Sequence, residues 1–300
     1  MNSPVGTDVV EAARLLSTGG VVAIPTETVY GLAAVARDAD AVRRVYTVKG
    51  RPLDHPLIVH VASEEAAREW AATWPPVADA LAEHFWPGPL TLIVERAEFV
   101  PDHVTGGRST VALRVPDHPM ALELLERVAD GVAAPSANRF GRVSPTTAEH
   151  VLNDLGNDVD YVLDGGSCDI GLESTIVDCS VDPPQILRPG GVATEDIEAV
   201  VKTLAPTSGP SRAPGMLPGH YAPDCRVVLR EHDGPPVSGP SGRARFLDAS
   251  VDPSSFARTM YANMRDADRD GVETLVITLP APRGIGLAIR DRLRKAAAGR

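Results

Sequence analysis

Lys49-Gly-Arg51 places a cation on either side of one glycine, between a predicted helix and a predicted strand. A lysine supplies a point charge and an arginine a planar fork of donors, and together they suit the oxygens of a polyphosphate. The alternative is a pair of charges that interacts with the dipole at the carboxyl end of the preceding helix.

A further cation lies on a predicted strand, in Ser109-Thr-Val-Ala-Leu-Arg-Val115. Because side chains alternate between the two faces of a strand, Thr110, Ala112 and Arg114 share one face. An arginine beside a threonine, with only a small alanine between them, suits an anion held against the sheet. The alternative is an exposed strand face that carries a solvated arginine.

Polar residues also interrupt two other apolar strands. His60 follows Pro56-Leu-Ile-Val, and it is either a ligand-binding group or a histidine satisfied within the core. Arg188 follows Ile186 by two residues, which predicts that both lie on one face, and the chain turns immediately afterwards. A guanidinium at a strand end lies where α/β sheets commonly form ligand clefts, and the alternative is a structural salt bridge.

Small polar residues follow a short apolar strand, in Ala134-Pro-Ser136-Ala-Asn138. Small side chains let a ligand approach the backbone while the hydroxyl and the amide offer hydrogen bonds, although the same composition is typical of a turn. Downstream, Thr146 and Glu149 predict a capping box, so Ser144 lies just before a helix. The amino terminus of a helix is a natural phosphate site.

The motifs of several common enzyme classes are absent. The sequence contains no P-loop, HExxH zinc motif, GxSxG elbow or EF-hand loop, and Gly284 and Gly286 lack the third glycine of a dinucleotide fingerprint. No covalent nucleophile is evident from spacing. The chain offers instead cations and small polar groups placed among apolar residues.

Alternating helix and strand patterns must position these residues. The predicted helices cover residues 8–16, 38–48, 118–127 and 147–155, with another that begins near Ser63. The predicted strands are 20–24, 57–61, 90–94, 110–115, 132–134, 161–163, 174–178 and 185–188. This pattern predicts one large mixed-sheet α/β domain. In the tail, strands 226–229, 244–247 and 274–278 with helices 254–266 and 285–298 predict a small open α/β sheet.

Composition excludes several classes of protein. The chain has 300 residues, with 29 Lys and Arg against 40 Asp and Glu, a net charge of −11. This acidic balance and an aromatic fraction of 4% argue against strong direct binding to nucleic acid. Three widely spaced cysteines, no apolar stretch of about 18 residues and no visible signal peptide lead us to expect a cytoplasmic protein with reduced thiols, away from the membrane.

The charge distribution marks a boundary between two domains. Residues 1–223 hold 16 basic and 30 acidic side chains, whereas residues 224–300 hold 13 and 10. Between the two parts, residues 205–223 contain five prolines and three glycines, a composition typical of an extended, semi-rigid connector. We therefore expect a domain at 1–204, a linker at 205–223 and a small domain at 224–300.

Taken together, these segments resemble the YrdC-like threonylcarbamoyl-AMP synthases over nearly the whole chain. The matching segments, in family order, are Pro25-Thr-Glu-Thr-Val-Tyr-Gly-Leu32, Lys49-Gly-Arg-Pro-Leu-Asp-His-Pro-Leu-Ile-Val-His60, Phe85-Trp-Pro-Gly-Pro-Leu-Thr91, Ala134-Pro-Ser-Ala-Asn138, Glu173-Ser-Thr-Ile-Val-Asp178 and Leu187-Arg-Pro-Gly190. Gly219-His-Tyr-Ala-Pro223 and Ile285-Gly-Leu-Ala-Ile-Arg-Asp-Arg-Leu293 are similar to the longer, two-domain branch.

The resemblance implies a fold and a reaction. The fold is a mixed twisted α/β sheet of the YrdC-like type, followed by a small Rossmann-like α/β domain. The reaction joins L-threonine, bicarbonate and ATP into threonylcarbamoyl-AMP and pyrophosphate, with Mg²⁺ held mainly through the phosphates and no flavin, NAD, haem or zinc. The product serves the t6A modification of tRNA, which implies a downstream threonylcarbamoyl-transferase complex as partner.

The resemblance also implies roles for individual residues. It assigns L-threonine binding to Thr26, His60, Arg114, the Ala134 backbone and Ser174. It assigns ATP binding to Arg51, His55, Thr110, Ser136, Ser144, Arg188 and Tyr221, with Tyr221 closing over the site. Lys49, Arg51, Ser136 and Asn138 form the family's catalytic KxR/SxN set, and catalysis is expected to consist of positioning and charge stabilisation.

Two departures and two competing functions remain. Position 55 is His where the family usually has Asn, and the tail is shorter than usual, with the Gly/Pro-rich loop 233–242. A carbamoyl transfer of the hydrogenase-maturation kind would require acylphosphatase-like and zinc-finger modules that this chain does not show. An RNA-binding module would use the cationic residues without turnover, against which the acidic balance of residues 1–223 argues.

Overall fold

Ten strands form one mixed sheet and three further strands form a second, parallel sheet. A computed structural model of the chain describes residues 5–206, 220–232 and 242–298. Most of the expected linker 205–223 and of the Gly/Pro-rich loop 233–242 therefore lies outside the described residues. None of the helices within those ranges is long and apolar enough to cross a membrane.

The large sheet has the strand order β1-β8-β2-β3-β7-β4-β6-β5-β9-β10. Its strands are β1 (Val5–Gly6), β2 (Val22–Ile24), β3 (Gly31–Val35), β4 (Ile58–His60), β5 (Leu90–Glu95), β6 (Thr110–Arg114), β7 (Val132–Ala133), β8 (Tyr161–Leu163), β9 (Thr175–Asp178) and β10 (Gln185–Arg188). The helices of this part are α1 (Val9–Ser17), α2 (Ala39–Lys49), α3 (Glu64–Glu69), α4 (Pro76–Phe85), α5 (Asp102–Thr105), α6 (Pro119–Val128), α7 (Ala148–Leu155) and α8 (Thr194–Val201).

The small sheet has the order β11-β13-β12. Its strands are β11 (Arg226–Arg230), β12 (Ala244–Asp248) and β13 (Thr274–Thr278), and its helices are α9 (Pro253–Arg269) and α10 (Ile285–Ala297). These bounds agree with the elements expected from the sequence to within a few residues. The two parts share one apolar cluster, in which Val29, Val143 and Leu172 of the larger part pack with Tyr261 and Leu293 of the smaller.

Helix caps fix where the helices begin and end. The Asp8 and Asp38 carboxylates accept backbone N–H groups at the start of α1 and α2, an arrangement worth about 1 kcal/mol each. Gly50 ends α2 in the left-handed conformation, with φ of 67°, which places Lys49 on the last turn and Arg51 immediately beyond it. The expected capping box at Thr146 is wrong, because Thr147 caps α7 and accepts from the His150 N–H.

The alternation expected for β6 is confirmed. Val111 and Leu113 pack in the main core, while Ala112 belongs to a separate cluster on the other face of the sheet. The shared face expected for Ile186 and Arg188 is wrong. A register shift between these two residues interrupts the pairing of β10 with β9, so Ile186 packs against the main core and Arg188 points into the opposite cavity.

Candidate functional site

A cavity of about 710 Å³ of atom-free space opens on the sheet face that carries Arg114 and Arg188. Of the residues proposed from the sequence, the cavity lining contains Thr26, Lys49, Arg51, His60, Arg114, Ala134, Ser136, Asn138, Ser174, Arg188 and Tyr221. The fold therefore brings together residues that are distributed over almost 200 positions of the chain.

Three of the proposed residues do not line the cavity. Ser144 is fully buried behind it, where its hydroxyl donates a 2.7 Å hydrogen bond to the carboxylate of Glu173, a lining residue. The His55 ring lies 5.7 Å from the ring of Phe140, which does line the cavity. Thr110 begins β6, at the far end of the strand from Arg114, and pairs with Glu95.

Lys49 connects the end of α2 to the small polar loop after β7. Its ammonium donates to the backbone carbonyl of Ser136 and, at 2.6 Å, to that of Asn138. Burial and the neighbouring Arg51 charge lower the pKa of Lys49 well below its usual value. The Asn138 amide donates to the carbonyls of Arg139 and Arg142, and its Oδ1 has no hydrogen-bond partner within the described part of the chain.

Besides burial, the charge of Arg51 lowers the pKa of Lys49, and the charge of Arg188 lowers the pKa of Arg51. The Arg51 guanidinium donates to the Pro56 carbonyl at 3.0 Å, and that of Arg188 donates twice to the Ser174 carbonyl. Burial, with a smaller contribution from Arg188, lowers the pKa of Arg51 to about 10, and burial likewise lowers the pKa of Arg188. A lowered pKa means that burial destabilises the positive form more than the neighbouring groups stabilise it, as is expected of a site built for an anion.

Polar groups of a different kind line the region around Arg114. Its Nε donates to the Gly88 carbonyl at 3.2 Å, and its Nη2 lies 2.7 Å from Oε1 of Glu27. Burial and the Arg114 charge lower the pKa of His60 to about 3, so its imidazole is neutral. The Thr26 hydroxyl donates to the Val29 carbonyl at 2.7 Å. This end offers one cation, a neutral imidazole and hydroxyl groups, which suits a small polar ligand with a carboxylate.

Several residues of the site were not assigned a role from the sequence. Glu173 lines the cavity and is almost fully buried; its position immediately before Ser174 in a matching segment was the available signal. His220 and Phe140 also line the cavity, with ring centroids 4.8 Å apart in an edge-on contact. Burial and the charges of Arg51 and Lys49 lower the pKa of His220 to about 4.

The site shows neither of two other common kinds of chemistry in the part of the chain that the structure describes. No group of three or more His, Cys, Asp or Glu side chains is placed to hold a metal ion there. The three cysteines are buried, as expected for structural thiols, and none is among the residues that line the cavity. The arrangement can bind a polyanion beside a small carboxylate and hold the two in fixed orientation.

Comparison with known proteins finds a matching family model for each of the two parts of the chain. The Sua5/YciO/YrdC family model, whose description is telomere recombination, matches residues 14–190. A model for the C-terminal domain of threonylcarbamoyl-AMP synthase matches residues 192–298.

Individual relatives extend over nearly the full chain. The threonylcarbamoyl-AMP synthase of Pyrococcus abyssi is 39% identical over 323 residues, covering 95% of this chain and 92% of that protein. The threonylcarbamoyl-AMP synthase of Bacillus subtilis is 39% identical over 325 residues, covering 97% and 93%. The crystal structure of Pyrococcus abyssi Sua5 complexed with L-threonine matches with a TM-score of 0.91 and 37% identity, covering 97% of this chain and 94% of that one. The chain belongs to the Sua5/YciO/YrdC family, in its two-domain form.

Proposed function

We propose that this chain forms threonylcarbamoyl-AMP and pyrophosphate from L-threonine, bicarbonate and ATP. The observation that carries the proposal is that one cavity joins buried cations whose pKa values are lowered to a polar end built around Arg114. The activity named for its relatives in Pyrococcus abyssi and Bacillus subtilis supports the same reaction.

L-Threonine occupies the end of the cavity around Arg114. The Arg114 guanidinium binds the carboxylate, while the hydroxyls of Thr26 and Ser174, the neutral His60 and the Ala134 backbone surround the rest of the amino acid. Glu27 contacts Arg114 at 2.7 Å and holds its orientation. The Pyrococcus abyssi relative that was crystallised with L-threonine supports this ligand.

ATP occupies the end of the cavity around Arg51 and Arg188. The two guanidinium groups and Lys49 face the phosphates, and Ser136 and Tyr221 line the same space. His55, Thr110 and Ser144 do not line the cavity, and we propose that they support the ATP site from outside its lining. Ser144 does so through its hydrogen bond to Glu173. The lining carboxylate of Glu173 is already bonded to neighbouring side chains, so Mg²⁺ that accompanies ATP would take its ligands from the phosphates.

The reaction needs no covalent enzyme intermediate. The amine of threonine adds to bicarbonate with loss of water, and an oxygen of the resulting carbamate attacks the α-phosphorus of ATP while pyrophosphate leaves. Lys49, Arg51 and Arg188 stabilise the charge that develops on the departing pyrophosphate, and a bound magnesium ion would neutralise part of that charge. Lys49 also fixes the loop that carries Ser136 and Asn138, so catalysis consists of positioning and electrostatic stabilisation.

The organisation of the chain follows from this assignment. We propose a catalytic domain at 1–204, a linker at 205–223 and a small domain at 224–300 whose parallel strands support a Rossmann-like architecture. We further propose that the protein acts in the cytoplasm, does not bind nucleic acid strongly by itself, and delivers its product to a threonylcarbamoyl-transferase complex that modifies tRNA.

One incubation tests the proposed function. The protein is mixed with ATP, L-threonine, Mg²⁺ and labelled bicarbonate, and the products are separated. Label is expected in an adenylate that forms only with threonine present, together with an equal amount of pyrophosphate. If pyrophosphate does not form and tRNA binds in a salt-dependent manner, the RNA-binding alternative replaces the enzyme.

A further inference from the structure

Two side chains of the small domain reach the edge of the cavity from behind. Tyr261 on α9 and Arg292 on α10 are both fully buried, and each contacts Glu173 and Tyr221, which line the cavity. We propose that Tyr261 and Arg292 are positioning residues for ATP that act through Glu173 and Tyr221. This inference rests on the proposed function, and it means that the small domain contributes to ATP binding.

The first contact fixes a carboxylate. Arg292 Nε donates to Oε2 of Glu173 at 2.7 Å, and the Tyr261 hydroxyl donates to the same oxygen at 2.9 Å. Ser144 donates to Oε1. Burial alone would raise the pKa of Glu173, but the charges of Arg292 and Arg188 and the hydrogen bonds from Arg292 and Ser144 lower it to about 2. The carboxylate therefore remains ionised and held from three directions.

The second contact fixes an aromatic ring. Tyr221 has a φ of 65°, a left-handed conformation that is strained for an aromatic residue and persists only where surrounding contacts stabilise it. Its ring stacks on that of Tyr261, with centroids 5.9 Å apart and planes inclined by 22°. The Arg292 guanidinium lies 5.2 Å from the centre of the Tyr221 ring. The same two side chains thus supply stacking and cation–π contacts to Tyr221.

Glu173 and Tyr221 border the end of the cavity that we assign to ATP. Both are close enough to Arg188 to affect its pKa, and Tyr221 also affects that of Arg51. Neither Tyr261 nor Arg292 is among the residues that line the cavity. Their contacts with the cavity lining are therefore made through the two residues that they hold, and the Arg292 charge adds to burial in lowering the pKa of Arg188.

Arg290 provides a matched control on the same helix. It is 6% exposed, and it donates to the Pro280 carbonyl and pairs with Glu231, both within the small domain. Replacing Arg290 removes a buried guanidinium without touching Glu173 or Tyr221. A loss that comes only from destabilising the small domain should appear in both variants, whereas a positioning effect should appear only at Arg292.

The test compares Arg292→Met, Tyr261→Phe and Arg290→Met in the full chain. The measurements are the Kd for ATP by calorimetry, KM for ATP and for L-threonine, and the thermal midpoint. Because a hydrogen bond to a charged group is lost, we expect Arg292→Met to raise both Kd and KM for ATP about tenfold, with KM for threonine nearly unchanged. Arg292→Lys, which keeps the charge, should recover part of the loss. Tyr261→Phe keeps the stacked ring and should raise both constants for ATP by about threefold.

The outcomes distinguish a role in positioning ATP from simple packing between the domains. Equal constants for ATP in the Arg292→Met and Arg290→Met proteins would overturn the proposal and leave the contact as domain packing. If Arg292→Met does not fold, Tyr261→Phe removes a single oxygen atom, and an unchanged Kd for ATP would likewise overturn it. If the wild-type protein binds ATP and the variants weaken that binding, but no threonylcarbamoyl-AMP forms, the positioning role stands and the proposed function fails.

Discussion

Burial without full compensation is what individual residues of the cavity have in common. Lys49, Arg51 and Arg188 each carry a pKa lowered by desolvation, so each positive charge is held at a cost in free energy. An arriving polyanion removes that cost, and the energy becomes available for binding and for stabilising pyrophosphate as it leaves. His60 differs, because burial makes it neutral and therefore a hydrogen-bonding group.

Replacing Arg114 with lysine should weaken threonine binding selectively. A lysine keeps the charge but cannot make the Gly88 contact and the ligand contact in one plane. We expect KM for L-threonine to rise about tenfold to a hundredfold, with KM for ATP little changed. The control is Arg127→Lys, which alters an exposed pair with Glu123 on α6. A parallel rise in both Michaelis constants would place Arg114 outside the threonine site.

Stability should fall in mild acid because of His60. Its pKa is about 3 in the folded chain against 6.5 in the unfolded one, so the unfolded state binds more protons between these values. Stability is therefore fully present above pH 6.5 and declines as the pH falls towards 3, with about 2 kcal/mol lost by pH 5. Urea unfolding of the wild type and of His60→Leu at pH 7.5 and pH 5 measures the loss of unfolding free energy between these pH values. The variant should lose clearly less stability over that interval, and an equal loss would contradict the assignment.

At the scale of single elements, the end of α2 decides where two of the cations lie. Gly50 has a φ of 67° and an added Cβ there would meet no atom within 4 Å. Gly50→Ala should therefore cost about 1 kcal/mol of unfolding free energy through backbone strain. Because the backbone relaxes to relieve that strain, Arg51 should shift and KM for ATP should rise. Gly156→Ala, at the equally open turn after α7, should cost stability without changing KM. Equal effects on KM would show that α2 does not set the position of Arg51.

Elements with a clear local signal were predicted from the sequence, and those without one were not. Asp8 and Asp38 are capping residues beside amphipathic runs, so α1 and α2 were found within a residue or two. β1, β3, α4, α5 and α8 were missed. β3 is buried almost throughout and shows no alternation, and α4 begins at Pro76 after another proline, a pair that resembles a loop.

The sequence predicted most of the residues that line the cavity, but not the contacts that those residues make. Strand alternation placed Arg114 correctly, but the register shift before Arg188 depends on pairing with β9 and leaves no trace in the spacing. Two of the partners of Glu173 come from α9 and α10, far along the chain. Contacts of that kind depend on how the two domains pack, which local patterns do not specify.

At the scale of the whole molecule, the two domains are complementary in charge. In two ion pairs across their boundary the acidic residue belongs to the larger domain and the arginine to the smaller one. Glu173 pairs with Arg292, Asp154 with Arg265, and the Glu195 carboxylate accepts the backbone N–H of Gly284 at the start of α10. The net charges of −14 for residues 1–223 and +3 for residues 224–300 thus have a structural counterpart at the interface.

This interface should make the two domains unfold together. The Arg265 guanidinium binds both oxygens of Asp154, at 3.0 and 2.8 Å, and the Asp154 side chain is 5% exposed. Asp154→Asn removes the charge that compensates a partly buried arginine, and we expect it to cost about 3 kcal/mol of unfolding free energy. Asp158→Asn, in the half-exposed pair with Arg139, should cost less than about 1 kcal/mol.

Calorimetry with and without ATP tests this coupling. Because the domains share an apolar cluster, the wild type and the Asp154→Asn protein should each unfold in one transition. ATP should raise the midpoint of that transition in both proteins, since a ligand that binds only the folded state stabilises every part that unfolds together with its site. If Asp154→Asn instead gave two transitions, of which ATP moved only the one belonging to the larger domain, the small domain would be an independent unit. That result would contradict the positioning role of Tyr261 and Arg292. Both side chains are buried against Glu173 and Tyr221, so a role in positioning ATP requires the two domains to be thermodynamically coupled.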